Sequence, residues 1–129
     1  MTTAHIKLVQ AVYASFQQRD LVALTRLVSP EIFIRQSEQL PWGGIYRGLG
    51  EFQQFFAKLT EHIDSNLSFD NLIDAGDDVV AIGRTSGHVV KSGAPFDVPV
   101  VHVWSVRDGL IVSFQPYIDV PLMQASLRA

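Results

Sequence analysis

Apolar residues recur at helical spacing as far as about Ile63, and from Leu67 onward they alternate at every second position. That change of period constrains the chain more than any other feature, because a helical stripe cannot serve as a strand face nor the reverse. Val9, Val12, Tyr13 and Phe16 define a first helix with one buried stripe. Asp20 reads as the N-cap of a short second helix bearing Leu21, Leu24, Leu27 and Val28, which Ser29-Pro30 stops. A first strand is predicted around Ile32, Phe33 and Ile34, from Glu31 to Gln36. A third helix is predicted from Gly50 to about Ile63, with Phe52, Phe55, Phe56, Leu59 and Ile63 on one face.

Four strand segments follow. Leu67 and Phe69 open one, and Asp74 to Asp78 is a turn. Val79 to Val90 is a long strand, Lys91 to Pro95 turns it, and Phe96 to Val106 returns. Arg107-Asp108-Gly109 makes a hairpin, since Asp-Gly readily adopts the positive φ such turns need, and Leu110 to Ile118 is the last strand. The tail from Pro121 to Leu127 is expected to add a helical turn or two. Helices first and hairpin-linked strands last give an α+β domain spanning 1–129, with an antiparallel sheet under three N-terminal helices. Gly83 and Gly87 would let the long strand bend, and Pro116 predicts a bulge or an edge, so the sheet is expected to be strongly curved into a cone.

Alternation separates the strand faces. The set Ile82, Arg84, Ser86 and His88, with Val100, His102 and Trp104 and then Phe114, Pro116 and Ile118, is large, aromatic and partly polar. It is read as the lining of a cavity. The opposite set, Val79, Ala81, Gly83, Thr85 and Gly87 with Val101 and Val103, is small and β-branched. It is read as an outer face that pairs with a second copy of the chain into a homodimer.

Composition removes several classes of function. With no cysteine among 129 residues, disulfides, zinc–thiolate sites and thiol catalysis are excluded. A net charge of -3 offers no attraction to nucleic acid or an anionic membrane. Met1-Thr2-Thr3-Ala4-His5 lacks a basic region leading into an apolar run, and no apolar stretch approaches a membrane span, so a cytoplasmic location is expected. No His or acidic cluster has metal-ligand spacing, and no phosphate-binding glycine motif occurs, so neither a metal nor a nucleotide cofactor is implied.

The order of elements, the loop Leu40-Pro41-Trp42-Gly43-Gly44-Ile45-Tyr46-Arg47-Gly48, the run from Val106 to Phe114 and the Tyr117-Ile118-Asp119 step carry a resemblance. From about His5 to Leu122 the chain resembles the SnoaL-like group of the nuclear transport factor 2-like superfamily, alongside ketosteroid isomerases and limonene epoxide hydrolases. The resemblance implies the cone fold, a fold that hosts enzymes and binders alike. It does not carry over a complete catalytic set. Ketosteroid isomerases use a carboxylate base with an oxyanion hole formed by a tyrosine and a protonated aspartate, a standard example of pKa tuning. Near the expected base stand Arg35, Gln36, Ser37 and Glu38, with Glu38 the only carboxylate, and no acid stands near Val101 or His102. Arg84 matches the arginine of limonene epoxide hydrolases, but their catalytic aspartates fall near Ser86 and Pro116.

The candidates for chemistry are therefore His88, His102 and Arg84. Either histidine could move a proton near neutrality, or be a buried ring satisfied by a backbone carbonyl or a tyrosine hydroxyl. A buried guanidinium needs a carboxylate, for which Asp119 or Glu38 could serve, or an anionic ligand group. Phe33, Trp42, Tyr46, Ser86, Trp104, Phe114 and Ile118 are read as pocket-lining, against the alternative that the aromatics simply fill the core. Three functions stay open. The chain could be an isomerase, cyclase or hydrolase acting on an apolar carbonyl or epoxide compound, a non-catalytic binder of a small hydrophobic ligand, or an interaction module with a closed pocket.

Overall fold

The computed structural model describes residues 3–129, so Met1 and Thr2 of the leader reading lie outside the described residues. The elements run α1 (Ala4–Gln17), α2 (Leu21–Leu27), β1 (Val28–Gln36), β2 (Gly44–Arg47), α3 (Gly48–His62), β3 (Ile63–Ala75), β4 (Asp78–Val89), β5 (Pro95–Arg107), β6 (Leu110–Ile118) and α4 (Val120–Arg128). The strands form one sheet in the order β2-β1-β6-β5-β4-β3. Every neighbouring pair is antiparallel except β1 and β6, which run parallel. The expected α+β architecture is therefore present, with the curved sheet left open.

Local chemistry accounts for the boundaries. Thr3 and Asp20 cap α1 and α2 by accepting from Ile6 N and Ala23 N. Arg19 closes α1 with a left-handed backbone, φ 55°, and its guanidinium donates to Phe16 O and Ser65 O at 2.7 and 2.9 Å. One side chain thus ties the end of α1 to β3. α2 ends at Leu27, so Val28, expected on the helix, opens β1 instead, and Pro30 falls inside that strand rather than stopping the helix. Pro30 lies where the β1–β6 register shifts between Val28 and Phe33, a place where a missing N–H is tolerated. β3 starts at Ile63 directly from α3, four residues before Leu67. The tail is a full helix, α4, whose Met123 is completely buried.

Curvature comes from β3 folding tightly over β4. A Cβ at Gly83 would lie 2.0 Å from Ser68 O, and one at Gly87 would lie 1.9 Å from Asp64 O, so no side chain fits at either crossing. The β3–β4 ladder shifts register between Phe69 and Asn71, and the β5–β6 ladder between Ser105 and Val106. No bulge falls at Pro116. The β1–β6 ladder instead ends at Ile34↔Phe114, so Pro116 sits where β6 has lost its β1 neighbour. Helix α1 covers the concave face, with Tyr13 stacked on Phe69 at 4.3 Å between ring centroids. Helix α3 closes the β1 side through Phe52 and Phe55. No described helix is long and apolar enough to cross a membrane.

Candidate functional site

The inner face of the sheet is set by strand pairing, because residues directly opposite one another share a face. Val100, His102 and Trp104 point inward on β5, and their partners on β6 are Ile118, Pro116 and Phe114. Their partners on β4 are Gly83, Ala81 and Val79. The phase of β4 is therefore the reverse of the sequence expectation. Ile82, Arg84, Ser86 and His88 stand on the outer face, and Thr85 with the small residues stands on the inner one. The physical reason is space and solvation. The rings of Tyr13, His102 and Trp104 already fill the concave side, so β4 contributes small residues there and leaves its charged ones in water.

Arg84 is consequently no buried cation. Its Nε donates to Asp97 Oδ1 at 2.7 Å and its Nη2 to Asp97 O at 3.2 Å, on a side chain that is half exposed. Neither proposed acid meets it: Asp119 caps α4 by accepting from Leu122 N, and Glu38 lies in the loop after β1. His88 is exposed, its Nε2 3.9 Å from Asp64 Oδ2, and Asp64 also pairs with Arg19 at 3.3 Å. Phe33 lies on the outer face of β1, beneath the guanidinium of Arg47 at 4.9 Å. Tyr46 is buried but acts on the loop, donating to Trp42 O and Gly43 O at 3.0 and 3.2 Å. That leaves His102, Trp42, Trp104, Phe114 and Ile118, of the residues anticipated, together around one cavity.

The cavity has a free volume of about 70 Å³ under α1 and α3. Its wall is almost wholly apolar, with Phe55, Phe56 and Leu59 from α3 facing Val100, Trp104 and Phe114 of the sheet. No Asp, Glu, Lys or Arg lines it. Trp104 and Phe114 stack at 3.9 Å and 17°, filling much of the floor.

Beside the hydroxyls of Ser65 and Thr85, two polar features break this wall. The first is a chain of hydrogen bonds. Trp104 Nε1–H donates to Tyr13 Oη at 2.8 Å, and Tyr13 Oη lies 2.8 Å from His102 Nδ1. Indole can only donate, so the phenol accepts from it and donates its own O–H to Nδ1. His102 is then the tautomer carrying hydrogen on Nε2, an atom with no hydrogen-bond partner among the described residues. Burial lowers the His102 pKa to about 3, so the ring is neutral. Burial also pushes the Tyr13 phenol far above its ordinary value, against the opposing hydrogen bond from Trp104.

The second feature is Gln36, only 5% exposed at the end of β1, whose side-chain Nε2 has no partner. A buried donor left unpaired costs about 1–3 kcal/mol, and native structures hold few of them. Sequence reasoning passed over Tyr13 and Gln36. Tyr13 sits on the apolar stripe of α1 and reads as core. Gln36 had a signal in its phase, since it alternates with the apolar Ile32 and Ile34 on the inward side of β1.

The profile of the SnoaL-like domain family matches residues 9–114. No curated protein matches the chain. A nuclear transport factor 2-like protein from Burkholderia thailandensis is 32% identical and superposes with a TM-score of 0.88, covering 100% of both chains. A nuclear transport factor 2-like protein of unknown function from Burkholderia pseudomallei, 25% identical, gives 0.92 over 98% of this chain and 99% of the other. A protein with a ketosteroid isomerase-like fold from Catenulispora acidiphila is 21% identical and gives 0.81 over 94% and 92%, a likeness of fold alone.

Proposed function

We propose, for a chain that belongs to the SnoaL-like domain family, that the cone binds a small, uncharged, apolar molecule presenting a hydrogen-bond acceptor such as a ketone oxygen. The observation that carries this reading is the unpartnered Gln36 amide in a wall free of charged side chains. An acceptor placed there would satisfy a donor that the protein alone leaves empty, and the Nε2–H of His102 offers a second. An ionised ligand would find no counter-charge on the cavity wall, and burying an unpaired charge is far costlier than burying a ketone.

Size follows from volume. One water needs roughly 10–15 Å³ by this kind of measure, so about 70 Å³ admits a head of some half a dozen heavy atoms. Cyclohexanone is a suitable probe, with methylenecyclohexane as the shape-matched control lacking the acceptor. Calorimetric titration is expected to show the ketone binding at least about tenfold tighter, the equivalent of about 1.4 kcal/mol. Equal affinities, or none, would overturn the reading.

A second reading is favoured by the Trp104–Tyr13–His102 chain. Here His102 transfers a proton during turnover of a carbonyl or epoxide compound, as an isomerase, cyclase or hydrolase would require. Binding is preferred because a ring with its pKa near 3 is a hydrogen-bond donor at neutral pH rather than an effective base. Product analysis on any ketone that binds separates the two, and the second reading requires that His102→Ala abolish turnover in a folded protein.

We also propose a two-fold homodimer through the outer face, where Ile82 pairs with Val101 and Val80 with Val103 and Ile82 is exposed. Sedimentation that finds a monomer at micromolar concentration would refute it.

A further inference from the structure

The cavity wall carries a further polar place, on the two strands farthest from Gln36. Ser65 on β3 and Thr85 on β4 both line the cavity and are only 4% and 5% exposed. Strand pairing makes them diagonal neighbours on the inner face, because Ser65 lies opposite Gly87 and Thr85 opposite Leu67. Thr85 stands between Leu67 and Val98, and Ser65 faces a glycine, so the paired strands supply neither hydroxyl with a side-chain partner. The helices above bring Val12, Phe16, Phe56 and Leu59 to the same cavity, all of them apolar.

Neither hydroxyl makes a side-chain hydrogen bond among the described residues. The bond that Arg19 Nη2 makes here, at 2.9 Å, goes to Ser65 O and fixes the backbone of β3 rather than the hydroxyl. Nor are the two oxygens walled in like Gln36 Nε2, so both border free space. A buried hydroxyl is seldom left without a partner, and each can give one hydrogen and accept others. Position separates this pair from the groups assigned to the ketone. His102 pairs with Ala81 and Val98 with Thr85, so the two places lie four residues apart along the strands, about 13 Å at roughly 3.3 Å per residue. No single ligand atom can serve both.

We propose that Ser65 and Thr85 form a second recognition point, which takes an uncharged oxygen-bearing group, a hydroxyl or another carbonyl, on the end of the ligand opposite its ketone. This inference rests on the binding reading above. The wall sets the chemical class. No Asp, Glu, Lys or Arg lines the cavity, so a carboxylate or ammonium there meets no counter-charge. Arg19, which reaches Ser65 O without lining the cavity, is already paired with Asp64 at 3.3 Å. A methyl group in the same place would leave both hydroxyls without a partner. The ligand is thus bifunctional, with neutral oxygens at both ends of a compact apolar body.

The test is calorimetric titration of the full chain with cyclohexanone, 4-hydroxycyclohexanone and 4-methylcyclohexanone. The last two have equal numbers of heavy atoms, so any penalty of size falls on both. The hydroxyl compound is expected to bind about tenfold tighter than the methyl compound. Thr85→Val, which trades the hydroxyl for a methyl of similar size, and Ser65→Ala are each expected to cut that ratio to less than about threefold. Because the ratio is read within each variant, a general loss of affinity or stability cancels. Cyclohexanone binding without a preference for the hydroxyl over the methyl compound overturns this inference alone, as does a ratio left near tenfold in both variants. Failure of all three probes overturns the binding reading beneath it.

Discussion

Replacing Gln36 by leucine should make the protein more stable and a worse binder. Gln36 Nε2 is buried without a partner, which costs about 1–3 kcal/mol in the folded state. Leucine is one bond shorter but of similar volume, removes the orphan donor, and would pack against Pro116 and Ile118, which line the same space. A net gain of about 1–2 kcal/mol is expected. The entropy of unfolding is about 2.1 cal/mol/K per residue, or about 0.27 kcal/mol/K for 129 residues. The melting temperature should therefore rise by about 4–7 °C. The same substitution should weaken cyclohexanone by about tenfold, since one hydrogen bond to the ketone is lost. Differential scanning calorimetry of the ligand-free protein, with titration of the variant, measures both. A merely structural glutamine would lose stability on substitution. A fall in melting temperature would mean that the amide is already satisfied, for instance by trapped water, and the case for an acceptor-bearing ligand would collapse.

Three further outcomes follow from the same geometry. Tyr13→Phe strips the partner from both Trp104 Nε1–H and His102 Nδ1, and should cost about 2–4 kcal/mol in urea unfolding; a loss below about 0.5 kcal/mol would refute the relay. Because the folded-state pKa of His102 is about 3, below the ordinary 6.5, the unfolded chain takes up the proton first. Its contribution is full above about pH 6.5 and is lost as pH falls toward 3, at up to about 1.4 kcal/mol per pH unit. Urea melts between pH 7.5 and 5 should show this slope flattened in His102→Gln, and identical slopes would contradict a buried neutral ring. Arg84→Ala and His88→Ala remove only half-exposed ion pairs, so each should change stability by less than about 1 kcal/mol and leave cyclohexanone affinity unchanged; a tenfold loss of affinity in either would place the site on the other face of the sheet.

The architecture was legible because it is written in periods and punctuation. The switch after α3, the Asp108-Gly109 hairpin with φ of 53° and 77°, and the cap at Asp20 need only local rules. Faces of single strands were harder. On β5 and β6 aromatic bulk and the inward phase agree, so His102, Trp104 and Phe114 fell where expected. On β4 they disagree, since the bulky side chains are charged and the inward ones are small. Bulk is a poor guide where a helix already occupies the concavity. Register settles the matter: once His102 faces inward, Ala81 opposite must too, and Arg84 three residues later must face outward. Tyr13 eluded the reading for a related reason. A tyrosine on a helix stripe looks like core until the strand that carries its partners, 89 and 91 residues away, is brought beneath it.

The same long-range closure explains why a chain without the acids of its better-known structural kin still builds a polar point in the cone. The strand end where the resemblance places a carboxylate base carries Gln36 on the inward phase and Glu38 in the loop outside. An amide there cannot take a proton, but it can hold an acceptor without introducing charge. Across the cavity, the indole fixes the phenol and the phenol fixes the imidazole, while burial keeps that ring neutral. Gln36 Nε2 and His102 Nε2 thus each offer a hydrogen to the cavity. A ligand that brings an acceptor to the head satisfies one of them. Cyclohexanone should therefore bind more tightly than methylenecyclohexane by a margin that shrinks in Gln36→Leu but survives there, because His102 Nε2–H remains.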